Sequence, residues 1–201
     1  MRKFALIFFL LFTSVAFADP DISLDNVHVV AEDMDEWYDE NTPNPIHEHQ
    51  VLCGAALMQL GGSTMSSSYL RKVHRTYEAR METCLDIASL AKEWMVEETF
   101  AISIAWVESK FSETVVSSAG AVGPMQVLPK YWCPNGKQKG CDLTIAGIRA
   151  LDRLISKYDT LAAAACHYNS GIKCNKHSRR YATRVLVLKQ KLDTLREWLR
   201  G

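Results

Sequence analysis

Residues 107–129 read VESKFSETVVSSAGAVGPMQVLP. The residues before them, from about Glu97 to Ser109, place Phe100, Ile102, Ile104, Ala105 and Trp106 on most faces of a helix, the pattern of a buried central helix. Glu108 falls in its last turn. The carbonyls of a helix C-terminus disfavour a nearby negative charge, and apolar neighbours such as Ile104 and Phe111 withhold water, so both effects keep Glu108 protonated to higher pH than a free glutamate. The small residues Ser118 to Gly123 then form a loop where a flat ligand can approach the backbone closely. A lone glutamate at a helix end is ordinarily solvated, so what this one does turns on the residues that accompany it.

Working outward, Gly61-Gly62 and the serines from Ser63 to Ser68 make a break, after which Val73, Tyr77, Met81, Cys84, Leu85, Ile87, Leu90 and Ala91 recur at helical spacing. That helix begins within the serine run, where a hydroxyl can cap the first N–H groups. Downstream, Ile145 to Tyr158 reads as an amphipathic helix through Ile148, Leu151, Leu154 and Ile155. Thr160 to His167 reads as a tightly packing alanine-rich one, and Arg180 to Leu199 as a terminal basic helix. The fold class expected is all-α, with loops where the chemistry sits.

The N-terminal stretch reads as a signal peptide over Met1–Ala18: Arg2 and Lys3, an apolar run from Phe4 to Phe12, and Ala16-Phe17-Ala18 as a cleavage site. An uncleaved anchor is the alternative, but the run is too short for a span. No other apolar run is long enough to cross a bilayer. Export to the periplasm or beyond follows, and the six cysteines, all beyond Ala18, suit disulfides in that compartment. Sequence locality favours Cys133 with Cys141 and Cys166 with Cys174, leaving Cys53 for Cys84. Between Asp19 and Tyr69 the chain carries about ten acidic residues and no lysine or arginine. It also holds Pro20, Pro43 and Pro45, so residues 19–65 are read as a largely irregular acidic segment, a solvated leader rather than a domain, and 66–201 as the folded domain. Lys plus Arg and Asp plus Glu are 23 each, a net charge of zero, which argues against a nucleic-acid partner. Ile46-His47-Glu48-His49 has its histidines two apart rather than four, and the cluster Asp33, Asp35, Glu36, Asp39 lacks the glycine and terminal glutamate of a calcium loop. Neither a metal nor a cofactor is expected.

Glu108-Ser109, Ser117 nine positions after the glutamate, Gly120-Ala121, and Gly123, Met125, Gln126 and Pro129 together resemble the signature of the soluble lytic transglycosylases, the goose-lysozyme-like enzymes of the SLT domain. A second element, Ala164-Ala165-Cys166-His167-Tyr168-Asn169-Ser170-Gly171, resembles the family's Ala-Tyr-Asn-Ala-Gly, and Tyr181 with Val185 fits its downstream Tyr-Val element. The resemblance covers roughly Ile87 to Val185. Three departures stand out: Pro124 replaces a leucine, Asp142-Leu143-Thr144-Ile145 replaces an Asn-Ile before the following helix, and a further glutamate of the larger members has no evident match.

The resemblance implies a lysozyme-like fold with the catalytic glutamate at the end of a central helix. It implies that Glu108 is acid and base in turn, cleaving between N-acetylmuramic acid and N-acetylglucosamine and leaving a 1,6-anhydro product. Ser117, Met125, Gln126, Tyr168, Asn169 and Tyr181 then contact substrate, although Met125 reads equally as core. Peptidoglycan strands are the implied partner, with a secretion, conjugation, pilus or phage machine as the system served. Most glycosidases supply a second carboxylate; Glu113 is the nearest and reads as a surface loop residue, and His167 as structural or surface. Two alternatives remain: a hydrolytic muramidase in which water attacks, and a non-catalytic peptidoglycan-binding assembly protein.

Overall fold

The structure, a computed structural model, describes residues 45–58 and 67–201. The stretch read as a signal peptide and the acidic stretch to Asn44 lie outside the described residues. Among those described there are seven α-helices and no strand: α1 Pro45–Met58, α2 Ser67–Glu93, α3 Glu98–Ser109, α4 Pro129–Trp132, α5 Leu143–Lys157, α6 Leu161–Ser170 and α7 Lys176–Leu199, with a 3-10 turn at Pro134–Gly136. This is the all-α architecture that the sequence pattern implied, and it is consistent with the lysozyme-like fold that the resemblance implied.

α3 forms the axis of the molecule. Its apolar residues point every way, so it needs partners on every side, and it is packed by α1, α2 and α7. Phe100, Ile102 and Ile104 are fully buried, each worth about 1.5–3 kcal/mol of transfer free energy. α2 closes against it through Ile87, Ala88 and Ala91. α7 contributes Tyr181, Ala182, Val185, Leu188, Leu192 and Leu195, one stripe at helical spacing.

The helix starts follow from side-chain caps. The Asp142 carboxylate accepts from the Thr144 and Ile145 N–H groups, so the departure Asp142-Leu143-Thr144-Ile145 still begins a helix, at Leu143. Thr160 caps α6 by accepting from the Ala163 N–H. Asn175 and Ser178 form a reciprocal capping box at the start of α7.

One expectation needs correcting. Of the segment 19–65 read as largely irregular, Pro45–Met58 is helical and part of the core, with Val51, Leu52, Cys53, Ala56 and Leu57 buried against α2, α3 and α7. The sequence concealed this helix because His47, Glu48 and His49 interrupt any apolar stripe. Partners found only in three dimensions accommodate Glu48 and His49: His49 Nε2 lies 3.3 Å from a Glu98 carboxylate oxygen, and Arg200 donates to both carboxylate oxygens of Glu48 at 2.9 and 2.7 Å.

Candidate active site

Four elements meet at Glu108: the last turn of α3, the loop between α3 and α4, and the facing sides of α6 and α7. α3 stops abruptly because two successive residues, Lys110 and Phe111, take left-handed backbone at φ 58° and 61°. Such conformations cost non-glycine residues on the order of 1–3 kcal/mol each. The anchoring of Phe111 offsets the cost, since its ring is buried with its centroid 5.7 Å from that of Trp106. The buried Ser109 ties this end to the next loop, its hydroxyl donating to the Pro124 carbonyl at 2.7 Å and accepting from the Ser112 N–H at 2.9 Å.

The loop is ordered by its own polar groups. Ser117 Oγ accepts from the Ala121 N–H at 3.0 Å, closing a turn whose left-handed residue is Gly120. Val122 makes isolated antiparallel bridges to Val116 and to Val127, so the backbone doubles back twice beside Glu108. Gln126, left-handed at φ 48°, donates its amide nitrogen to the carbonyls of Val115 at 3.0 Å and Gly123 at 2.9 Å, bracing both strands of the turn. Met125 points the other way: its side chain is fully buried against α5, where a Cβ at Gly147 would fall 2.4 Å from the Met125 sulfur.

Tyr168 and Tyr181 bring the other helices in. The Tyr168 hydroxyl donates to the Met125 carbonyl at 2.7 Å, fixing the loop to α6. Its ring edge is partly exposed while the phenolic oxygen lies inside; burial first, then the Glu108 charge, raises its pKa well above the ordinary value. Tyr181, only 3% exposed, stands beside Glu108, and burial is again the first cause of a strongly raised pKa. The Tyr181 hydroxyl is near enough to Glu108 to lower the carboxyl's pKa as a donor, yet meets hydrogen-bond geometry with no partner. Both facts fit a hydroxyl just outside bonding geometry, a donor poised at the carboxyl rather than engaged by it.

The net result is a Glu108 pKa raised from 4.5 to about 7. Burial is the dominant cause; Tyr181 and, at longer range, Arg184 pull it back down. Among the described residues no carboxylate is one of the groups acting on it. Glu113 is exposed and accepts a hydrogen bond from Thr83 at 3.2 Å.

Ser117, Gln126, Tyr168 and Tyr181 therefore sit on the elements around Glu108, with Asn169 exposed on α6 next to Tyr168. Met125 and Tyr181 are buried, the Met125 carbonyl accepting from Tyr168 and the Tyr181 hydroxyl lying beside the Glu108 carboxyl. His167 turns away, its Nδ1 2.7 Å from the Gly171 carbonyl and its ring stacked on Tyr158 at 4.1 Å. The sequence reading missed Arg184, whose only signal was its place one helical turn after Tyr181. It quoted Ser109 without finding its role, because a bond to the Pro124 carbonyl is invisible to spacing.

Two cysteine pairs frame the same region, Cys133 with Cys141 after the Met-Gln element and Cys166 with Cys174 around Asn169, at Cα separations of 5.4 and 5.7 Å. The third, Cys53 with Cys84 at 5.8 Å, joins α1 to α2 inside the core. The Transglycosylase SLT domain matches residues 86–186, half of the chain and all of the site just described. The chain belongs to the transglycosylase SLT family. Comparison with curated proteins and with solved structures finds no match. An SLT domain supports transglycosylase action on peptidoglycan, and its site outside the cytoplasm agrees with three disulfide pairs, which fit export. Among the described residues no helix is long and apolar enough to cross a membrane, and no three His, Cys, Asp or Glu side chains are grouped to hold a metal.

Proposed function

We propose that this protein is a lytic transglycosylase that cleaves the β-1,4 bond between N-acetylmuramic acid and N-acetylglucosamine with Glu108 as its one acid-base residue. The observation that carries the reading is a half-buried, largely desolvated carboxyl with a pKa of about 7 and, among the described residues, no second carboxylate acting on it. A general acid works best with a pKa near the working pH. Hydrolysis by the common two-carboxylate routes needs a partner that activates water or attacks the sugar. The surroundings of Glu108 offer hydroxyl groups instead.

In the proposed sequence the neutral Glu108 gives its proton to the bridging oxygen as the bond to C1 of the muramyl residue breaks. The acetamido oxygen of that sugar supports the cationic C1. Glu108, now a carboxylate, takes the proton of the muramyl 6-hydroxyl, and O6 closes onto C1. The proton count returns to its start, and no water is consumed. Tyr181 steadies the carboxylate stage, since a poised phenol donates to an anion more strongly than to an acid.

Ser117, with its oxygen held by the Ala121 N–H, keeps a hydroxyl proton to give to the sugar. Gln126 keeps its amide oxygen, which has no partner among the described residues. Asn169 offers an exposed amide on the facing wall. The reading includes export after cleavage near Ala18 and local opening of the cell wall for an envelope-spanning machine.

Mass spectrometry of muropeptides released from purified peptidoglycan tests it. Anhydro-muramyl products that vanish with Glu108→Gln are expected. Products heavier by one water, ending in reducing muramic acid, would instead make the protein a muramidase, and no release by the unaltered protein would leave a glycan-binding assembly role.

A further inference from the structure

Helix α7 is divided by charge. Three cations toward or just past its C-terminus have fixed partners: Lys189 lies 2.6 Å from both Glu97 and Asp193, Arg196 reaches the same two carboxylates, and Arg200, just beyond the helix, holds Glu48. Its N-terminal half presents Lys176, His177, Arg179, Arg180 and Arg184, all exposed. No Asp or Glu occurs anywhere from Thr160 through Leu192 to neutralise them. Among the described residues Arg180 and Arg184 form no ion pair.

At 100° per residue, His177, Arg180 and Arg184 fall on one flank of α7, adjoining the buried Tyr181 that faces Glu108. The flank therefore runs along the helix beside the catalytic glutamate, close enough that the Arg184 charge is felt by its carboxyl. A cation there works against a neutral acid, because it favours the ionised form. The flank thus carries a cost to the chemistry that an exposed basic face elsewhere on α7 would not.

We propose that His177, Arg180 and Arg184 form an anion-binding rail that holds the carboxylates of acidic peptides borne by the glycan strand. The proposal rests on peptidoglycan being the substrate, and it names what selects among strands: the rail favours a peptide-bearing muramyl residue over a bare one. Charge complementarity and continuity with Glu108 both point to this occupant. A fork-shaped guanidinium suits a carboxylate, and the exposed position leaves room for a branch leaving the glycan.

The test measures binding without turnover, so that it stands apart from the identity of the reaction product. Glu108→Gln protein is co-sedimented with intact sacculi and with sacculi whose peptides have been removed by an amidase, a treatment that leaves the lactyl carboxylates in place. The variants added to that background are Arg180→Gln with Arg184→Gln, the same pair changed to Lys, and Arg153→Gln with Lys157→Gln on α5 as an equal loss of charge elsewhere, each checked for folding by far-UV circular dichroism. Expected are affinity for intact sacculi about tenfold lower in the Gln pair, the scale of two exposed ion pairs, restored only in part by Lys, which keeps the charge and loses the fork, and unchanged in the α5 pair, with peptide-free sacculi bound weakly by all. Equal binding of intact and peptide-free sacculi would overturn the proposal. So would an equal loss in the α5 pair, and so would tighter binding by the Gln pair, which would mean that the rail is covered by some other anion.

Discussion

Helix α3 carries a glutamate in its first turn and another in its last, and the fold pushes their pKa values in opposite directions. Glu98 is lowered, first by its hydrogen bond from His49 and then, against some burial, by the charges of His49, Lys92 and Arg196. Beside it, Glu97 meets Lys189 and Arg196, and Thr99 donates to Asp193 at 2.6 Å. Every charge at that end has a partner. Glu108 at the other end is raised by burial, with one hydroxyl outside bonding geometry and one exposed arginine for company. The same side chain on the same helix is thus a paired anion at one end and a carboxyl held neutral to higher pH at the other. Packing stays similar along the helix; the supply of partners changes.

Removing the donor should have the largest effect. Glu108→Gln is expected to lower kcat by about 100- to 10,000-fold, the range of a lost general acid-base, as read from muropeptide release. The same change should stabilise the fold in alkali. Because the native pKa is raised, the native state binds more protons than the unfolded chain between pH 4.5 and about 7, so the wild-type protein loses stability as pH rises through that window. At pH 8 the variant should be more stable by up to about 3 kcal/mol, checked by urea denaturation, and equal stability at pH 8 would mean that Glu108 is better solvated than its burial indicates.

The cysteine pairs extend the contrast. Replacing Cys53 and Cys84, both in the core, with Ser should cost about 2–4 kcal/mol of stability, seen as a lower Tm, with little change in kcat for the protein that remains folded. Replacing Cys133 and Cys141, or Cys166 and Cys174, should act in the reverse sense: activity falls while helical circular dichroism persists, because these pairs hold the loops around Glu108. Gly147→Val sits between the two cases. Its side chain collides with Met125, so about 1–3 kcal/mol is lost through overpacking. The Met125 carbonyl that anchors Tyr168 also shifts, so kcat should fall in the folded fraction as well.

At the paired end, Glu98→Gln should cost about 1 kcal/mol. It should also flatten the acid limb of stability, since a lowered carboxyl contributes above pH 4.5 and loses that contribution as pH falls below it. The pH dependence of the reaction should stay as it was.

What the sequence revealed follows the same division. The central helix, the terminal helix and Glu108 were legible because each depends on local pattern: apolar residues at helical spacing, and a motif of fixed distances. The bracing by Ser109 and Gln126, the field of Arg184 and the packing of Met125 against Gly147 were not, since each joins residues whose separation carries no regularity. α1 was hidden for the opposite reason. Its polar residues look like loop until Glu98 and Arg200, far along the chain, arrive to satisfy them. The motif residues could be named from the sequence, and which of them meet their neighbours through side chain, hydroxyl or carbonyl could not.

The smallest predicted effect is the sharpest probe of the contrast between the two ends. If the Tyr181 hydroxyl is poised at Glu108 rather than engaged by the carboxyl, Tyr181→Phe removes no formed hydrogen bond and should leave stability nearly unchanged. It does remove a donor that favours the ionised carboxyl, so the Glu108 pKa should rise further and the alkaline limb of kcat/KM, which follows loss of the proton, should move to higher pH. Maximal kcat should fall modestly at the same time, because the carboxylate stage loses its donor. At the paired end the equivalent change, His49→Gln, would alter stability and leave this profile in place. A Tyr181→Phe profile displaced to lower pH would show that the hydroxyl shields the proton instead of attracting the charge, and the account of Glu108 as an acid kept neutral by burial against a single opposing donor would have to be redrawn around water held at that position.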